Sequence, residues 1–340
     1  MDFAALLLAF FASLVVVLVT MPPLIKKMQE GGMVGRDVNK EGRPEVAELG
    51  GIAALFAFSI SLSLVVGLKK LEGIGAYIEP GYLAALSVFF IASMVGLIDD
   101  ISNIKQRVKA VSVVFAALPL LLVHVPPAAI NFPFGFTLSF ESSRILLLAY
   151  WLILVPIGVT GLSNAMNMSA GYNGLECGQV LIVSIGLFII TVITGASEVA
   201  LILFVALAGC ALGLFVFNRF PARVFVGDVG TLGLGAAMAA GVIMGHIEFY
   251  GVVAIAPAFY EAGATLYYTI VKKETGRREA CHNPVVHEDG TLSPPKGAER
   301  YTLAYFILSR KPLTENGLVV RILSLYALCS AVAVVLSVFG

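Results

Sequence analysis

The feature that most constrains this chain is met at once. Phe3 to Val19 contains no charged residue and almost no polar one, and runs like it recur to the end of the sequence. In lipid, every backbone N–H and C=O must be paired inside the segment. Apolar runs of about 20 residues therefore resolve as membrane-spanning helices. On that length the sequence predicts about ten spans: 3–23, 50–68, 81–98, 108–125, 145–163, 179–195, 197–217, 229–246, 249–271 and 318–339. The 340 residues are 59% hydrophobic and 13% charged, with a mean hydropathy of +0.93. A soluble domain cannot hide that much apolar surface. The expected fold is an all-α polytopic integral membrane protein, a single membrane domain over 1–340. The first run has no basic residue before it and no small-residue cleavage site after it, so it reads as a retained span. The runs 108–125 and 229–246 are the weakest. The first carries Lys109 and Pro119. The second is rich in Gly and Ala, which let neighbouring helices approach.

Lys and Arg number 22 and Asp and Glu 22, so the balance gives no reason to expect a nucleic-acid partner. Cys177, Cys210, Cys281 and Cys329 stand far apart, with neither a disulfide framework nor zinc spacing. The basic residues are one-sided. All but Lys69, Lys70 and Arg144 fall in loops 24–49, 100–108, 218–228 and 272–317, or at the edge of an adjoining span (Lys109, Arg321). By the positive-inside rule those loops are cytoplasmic and both termini lie outside. The polar islands share that side: Asp37–Gly51, Asp99–Lys109, Asn164–Gly178, Arg219–Asp228 and the loop after Lys272. A transport path would place polar groups near the bilayer midplane. An enzyme joining a lipid to a soluble substrate would place them at the interface, as here.

Each island has a chemical and a plain reading. Asn164 to Gly178 is dense in amides and glycines, which suggests backbone packed closely against polar groups, or else a polar turn between spans. Gly96-Leu-Ile-Asp99-Asp100 ends an apolar run in two carboxylates. Adjacent helical residues point about 100° apart, so the two should take different partners. Acids at a helix C-terminus oppose the macrodipole, and a nearby cation would relieve this. Asn103 falls one turn after Asp99. Phe225-Val-Gly-Asp228 opens a span. Asp228 is either a helix N-cap or, with Asn164 or Asn167, a ligand for Mg²⁺, which uses few protein oxygens beside phosphates and waters. Lys109 is a partner for a diphosphate or a snorkelling lysine. The 272–317 loop, with His282 and His287, is long enough to expect a binding role, solvated histidines being the plain alternative.

Together these motifs resemble the polyprenyl-phosphate N-acetylhexosamine-1-phosphate transferases of glycosyltransferase family 4. The pieces are Gly96-Leu-Ile-Asp-Asp100, Asn164-Ala-Met-Asn167 with Ala170-Gly-Tyr-Asn-Gly-Leu-Glu176, and Phe225-Val-Gly-Asp228, in the family's order. Asn173-Gly-Leu-Glu-Cys-Gly-Gln179 is most similar to the archaeal and eukaryotic UDP-GlcNAc:dolichyl-phosphate branch. Bacterial relatives usually carry aspartates where Ala170 and Asn173 stand.

The resemblance implies a ten-span enzyme with its site facing the cytoplasm, in the cell membrane or, in a eukaryote, the ER membrane. It implies transfer of GlcNAc-1-phosphate from UDP-GlcNAc to a polyprenyl (dolichyl-type) phosphate in the bilayer, releasing UMP, for glycan assembly such as N-glycosylation. It also implies Mg²⁺, with Mn²⁺ able to substitute, and a homodimer. Asp228 and Asn167 would hold the metal. Lys109 and Asn103 would contact the diphosphate or sugar, with Asn164 also on the substrate. Phe225 would stack on uracil near Asn173, Gly171 and Glu48. Asp99 and Asp100 would act on the lipid phosphate or stabilise the site. His282 and Arg278 would face the GlcNAc. Another UDP-sugar, an undecaprenyl phosphate acceptor, or a non-enzymatic transporter or scramblase are the alternatives.

Overall fold

Eight of the apolar runs become continuous helices of at least 18 residues, long and apolar enough to cross a membrane. They are α1 Phe3–Glu30, α2 Gly51–Leu71, α3 Pro80–Ser102, α6 Arg144–Met168, α7 Leu175–Thr194, α8 Glu198–Asn218, α9 Gly227–Met244 and α13 Glu315–Ser337. The computed structural model describes residues 2–71, 73, 80–102, 104–123, 127–267, 271, 283–298 and 301–340. The chain is a mostly helical, polytopic membrane protein.

Two expected spans are not continuous helices. The run 108–125 is broken into α4 Gln106–Ser112, a 3₁₀ turn Val113–Ala117 and α5 Leu118–Val123. Pro119 has no N–H to give, and its ring clashes with the carbonyl four residues back. The run 249–271 is bent by 72° between α10 Glu248–Ala254 and α11 Ala256–Leu266. Pro257 stands in the first turn of α11, where a missing N–H costs nothing. Among the described residues eight helices, or nine with the bent pair as one span, are long and apolar enough to cross a membrane.

Helix α9 is the hub: every residue from Val229 to Met244 is buried. Its small residues set how close its neighbours come. A Cβ on Gly96 of α3 would lie 2.2 Å from the Asp228 carbonyl oxygen, and one on Gly51 of α2 2.3 Å from Gly230. Backbone is thus packed directly on backbone where these helices cross, the use of small residues expected between membrane helices. That approach brings the C-terminus of α3 onto the N-terminus of α9.

Short strands finish the same end of the bundle. Strands β1 Val34–Arg36 and β2 Glu45–Ala47 pair antiparallel. The 224–226 segment runs beside β2, with Phe225 N–H donating to the Ala47 carbonyl at 2.8 Å and Gly50 N–H to the Phe225 carbonyl at 2.8 Å. In the long loop, β5 Val285–Val286, β6 Thr291–Ser293 and β7 Leu313–Thr314 form a three-stranded antiparallel sheet. Helix α12 Leu303–Leu308 lies between β6 and β7. A further hairpin, β3 Ala129–Asn131 with β4 Thr137–Ser139, lies elsewhere on the bundle.

Candidate active site

The two acids that end α3 take different partners, as their angular separation requires. Asp99 Oδ2 lies 2.8 Å from Lys109 Nζ, and both side chains are 6% exposed. Lys109 also lies 2.5 Å from Asp228 Oδ2, on a side chain 25% exposed. One ammonium, on α4, is thus held between carboxylates from α3 and α9. Asp100 instead caps α9 from outside: its two oxygens accept the N–H groups of Asp228 and Val229, each at 2.9 Å. Both carboxylates that oppose the α3 dipole have found positive charge, one an ammonium and the other a helix N-terminus. Gly227 has φ +72°, and a Cβ there would stand 2.9 Å from Asp100 Oδ2. The glycine is what lets the carboxylate reach those N–H groups.

The asparagines of α6 divide. Asn167 Nδ2 donates to Asp228 Oδ1 at 2.6 Å and to Thr231 Oγ1 at 2.8 Å. Asn164 Nδ2 donates to the carbonyls of Ala110 at 3.2 Å and Thr160 at 2.9 Å. It ties α6 to the helix carrying Lys109 instead of reaching the carboxylates. Thr231 escaped sequence reasoning; its signal is its place one turn after Asp228 on the same face.

Asp228 offers a carboxylate with the Asn167 amide beside it, and among the described residues Asp99 Oδ1 is buried without a hydrogen-bond partner. Two carboxylates against one ammonium leave negative charge in excess. Such hard oxygen donors fit Mg²⁺, which fills its remaining positions with water and substrate phosphate. Among the described residues no group of three or more His, Cys, Asp or Glu gathers as a ligand set.

A second charged cluster locks the asparagine–glycine stretch. Lys40 bonds Asp37, Asn173 Oδ1 at 2.8 Å and Glu315 Oε2 at 3.2 Å. Asn173 is buried; its side chain also donates to Asp37 Oδ2 at 3.1 Å, and its N–H donates to Glu315 Oε1 at 2.8 Å. Gly171, at φ +126°, gives its N–H to Glu176 Oε1 at 3.1 Å and accepts Asn39 Nδ2 at 2.8 Å. The amides and glycines of this stretch do pack their backbone against polar side chains. Asp37, Lys40 and Glu315 were not singled out from sequence; the available signal was Asp37-Val-Asn-Lys40, four residues with three polar side chains in one loop.

Phe225 is half-buried, pinned by its backbone beside β2. A Cβ on Gly35 would lie 3.0 Å from Glu48 Oε1 and 3.1 Å from the Phe225 ring. Gly35 thus leaves room for both side chains at one rim. Asn103, Arg278 and His282 lie outside the described residues. His287 stands in the β5–β6 turn, its Nε2 2.8 Å from Ser293 Oγ. Glu261, left without a role by the sequence, accepts the Leu303 N–H at 2.9 Å. It holds the start of α12, while Glu315 holds the stretch just after β7. The α12–β7 part of the long loop is thus fastened by a buried carboxylate at its start and another just past its end.

Residues 82–246, which hold Asp99, Asp100, Lys109, Asn167, Asn173, Phe225 and Asp228, match the family described as Glycosyl transferase family 4. A Saccharolobus solfataricus protein is 31% identical over 273 residues, 80% of this chain and 77% of its own. The chain belongs to glycosyl transferase family 4. That relative is provisionally named a UDP-N-acetylglucosamine–dolichyl-phosphate N-acetylglucosaminephosphotransferase. A relative of the same provisional name, from Sulfolobus acidocaldarius, is 31% identical over 71% of this chain and 72% of its own. A phospho-N-acetylmuramoyl-pentapeptide-transferase of Limosilactobacillus reuteri is 27% identical over 84% of this chain and 89% of its own. The cluster around Lys40 draws Asp37, Lys40 and Glu315 from outside the matched segment.

Proposed function

We propose that this protein transfers GlcNAc-1-phosphate from UDP-GlcNAc to a polyprenyl phosphate of the dolichyl type, releasing UMP and leaving a lipid diphosphate bearing GlcNAc. One observation carries the reading: Lys109 held between Asp99 and Asp228, with Asn167 on Asp228, where three helix ends meet. The names of the two archaeal relatives support the donor and acceptor. The one-sided basic loops support a site facing the cytoplasm, where a nucleotide sugar is made available.

In this reading an oxygen of the lipid phosphate attacks the sugar-side phosphorus. A new P–O bond forms, the bond to the UMP oxygen breaks, and UMP leaves with the electron pair. Such transfers ask for positioning and charge neutralisation more than covalent help. Lys109 turns its ammonium from a carboxylate to the diphosphate. Asp228 and Asn167 are the residues that would hold Mg²⁺, which when bound supplies further neutralisation of phosphate charge. Asp99 orients Lys109 and faces the incoming phosphate. That phosphate has its second pKa near 6 and is largely ionised at neutral pH, so no strong base is required. Asp100 has both oxygens on backbone N–H groups and acts by fixing the start of α9. Phe225, with Glu48 at the same rim, receives the uracil.

The test is transfer of radiolabel from UDP-GlcNAc, UDP-GalNAc and UDP-MurNAc-pentapeptide, each with dolichyl or undecaprenyl phosphate, by purified protein with and without Mg²⁺. Metal-dependent product from UDP-GlcNAc and dolichyl phosphate is expected. Product only from the pentapeptide donor would keep the site and move the function to that of the Limosilactobacillus relative. No product from any pair, with folded protein, would overturn the enzymatic reading.

A further inference from the structure

Between α5 and α6 the chain reads Ile130-Asn-Phe-Pro-Phe-Gly-Phe-Thr-Leu-Ser-Phe140. Every even position is apolar, and every odd one is Asn, Pro, Gly, Thr or Ser. Period two is the strand period, and the segment folds as the β3–β4 hairpin, with Ile130 opposite Leu138 and Asn131 opposite Thr137. Opposed residues share a face, so Ile130, Phe132, Phe136 and Leu138 make one apolar surface. The rings of Phe132 and Phe136 are 5.3 Å apart. The other face is polar and tied down: Thr137 Oγ1 donates to Asn131 Oδ1 at 3.1 Å, and Asn131 Nδ2 to the His246 carbonyl at 3.3 Å.

His246 follows the C-terminus of α9, whose N-terminus carries Asp228. The 18 residues of that helix span about 27 Å, so the hairpin lies at the end of the bundle opposite the carboxylates. Phe132 and Phe140 are covered by the bundle, 5.1 Å from Phe249 and 5.2 Å from Tyr150. The turn and β4 are not: Phe134 is 79%, Phe136 61% and Leu138 43% exposed. The Phe134 ring stacks on Phe339 at 5.8 Å, just past the end of α13. The exposed apolar surface continues from there through Val338, Val335 and Val332 down that span.

From this continuity we propose that Phe134, Phe136 and Leu138 form an interfacial anchor. The hairpin tip inserts into the headgroup–acyl boundary of the leaflet opposite the carboxylate cluster. It goes no deeper, because the outer edges of a two-stranded hairpin carry backbone groups without strand partners, and hydrocarbon offers these nothing to bond. Aromatic side chains at that level are the ordinary anchors of membrane proteins. By its contacts with Phe339 and Phe249, the anchor fixes the height of α13 and α10 in the bilayer. The proposal does not depend on the transfer reaction.

The full chain reconstituted in phosphatidylcholine vesicles, with Phe136→Trp in a Trp151→Phe background, tests it. Trp151 is the sole tryptophan, so the signal is the hairpin's own. Blue-shifted emission is expected, quenched about twofold more by lipid brominated near the carbonyl end of the chain than by lipid brominated near the methyl end, and little by iodide. The same substitution with Trp151 kept, read as the difference from wild type, gives the answer if the double variant does not fold. Quenching by iodide alone would put the tip in water and overturn the anchor. Quenching by neither reagent would mean that protein, such as a second copy of this chain, covers the tip, and would overturn it equally.

Discussion

Two lysines in this molecule are each held between two carboxylates, and the two arrangements differ in what they leave unused. Around Lys40, all four oxygens of Asp37 and Glu315 have partners. Both of these acids are 2% exposed at the side chain. Around Lys109, Asp99 keeps one oxygen without a partner among the described residues, and Asp228 is 25% exposed. The same ions make a closed fastening in one place and an unfinished one in the other. The two carboxylates of the closed fastening have no oxygen left to offer a ligand. In the proposed reaction the other would gain its missing partners from the substrate diphosphate and from Mg²⁺. Their positions agree with this: one ties a loop to the start of α13, while the other sits where α3, α4, α6 and α9 converge.

The comparison can be broken most strongly at the two lysines. Lys109→Met should lower transfer by about 10³-fold, as expected when a preorganised charge at a reacting phosphate is lost. Millimolar Mg²⁺ should recover most of its lost thermal stability, because the cation can take the ammonium's place between Asp99 and Asp228. Lys40→Met strands two buried carboxylates and should cost about 3–5 kcal/mol of stability. That loss should appear as a lower melting temperature and yield in detergent, without rescue by Mg²⁺. Equal rescue of both variants would erase the distinction drawn here.

Gly96→Ala is a smaller blow to the same site through packing alone. Its Cβ would meet the Asp228 carbonyl, push α3 from α9 and cost about 1–3 kcal/mol, with transfer falling alongside thermal stability. Asp100→Asn keeps one acceptor for the α9 N-terminus and should cost about 1 kcal/mol. Its kcat should fall while KM for the donor and the pH profile stay in place. Asp99→Asn is expected to have the mildest effect on rate and to retain most of its activity. A loss as large as that of Lys109→Met would make Asp99 an obligatory base.

Much of this was legible in the sequence because it is local. Asp99 and Asp100 must diverge on one helix, and they do. The apolar runs had to be helices, and the small residues of α9 had to mean close crossing. What escaped depends on partners far away in sequence. Lys40 and Glu315 are 275 residues apart, and nothing in either segment names the other. Asn164 and Asn167 share a face by spacing, yet only packing decides that one turns to Ala110 and the other to Asp228. The two interrupted runs were apolar enough to span; Pro119 and Pro257 were visible, but hydropathy over a long window averages a proline away.

The most direct measurement is the rate of radiolabelled GlcNAc-1-phosphate transfer by Asp228→Ala beside wild type, in preparations matched for helical content and melting temperature. Asp228 serves both Lys109 and Asn167, and its side chain does not hold the Lys40 cluster. The account predicts a folded protein with no metal-dependent product above background. A folded Asp228→Ala protein that transfers at a rate near wild type would contradict it and remove the chemistry from this cluster.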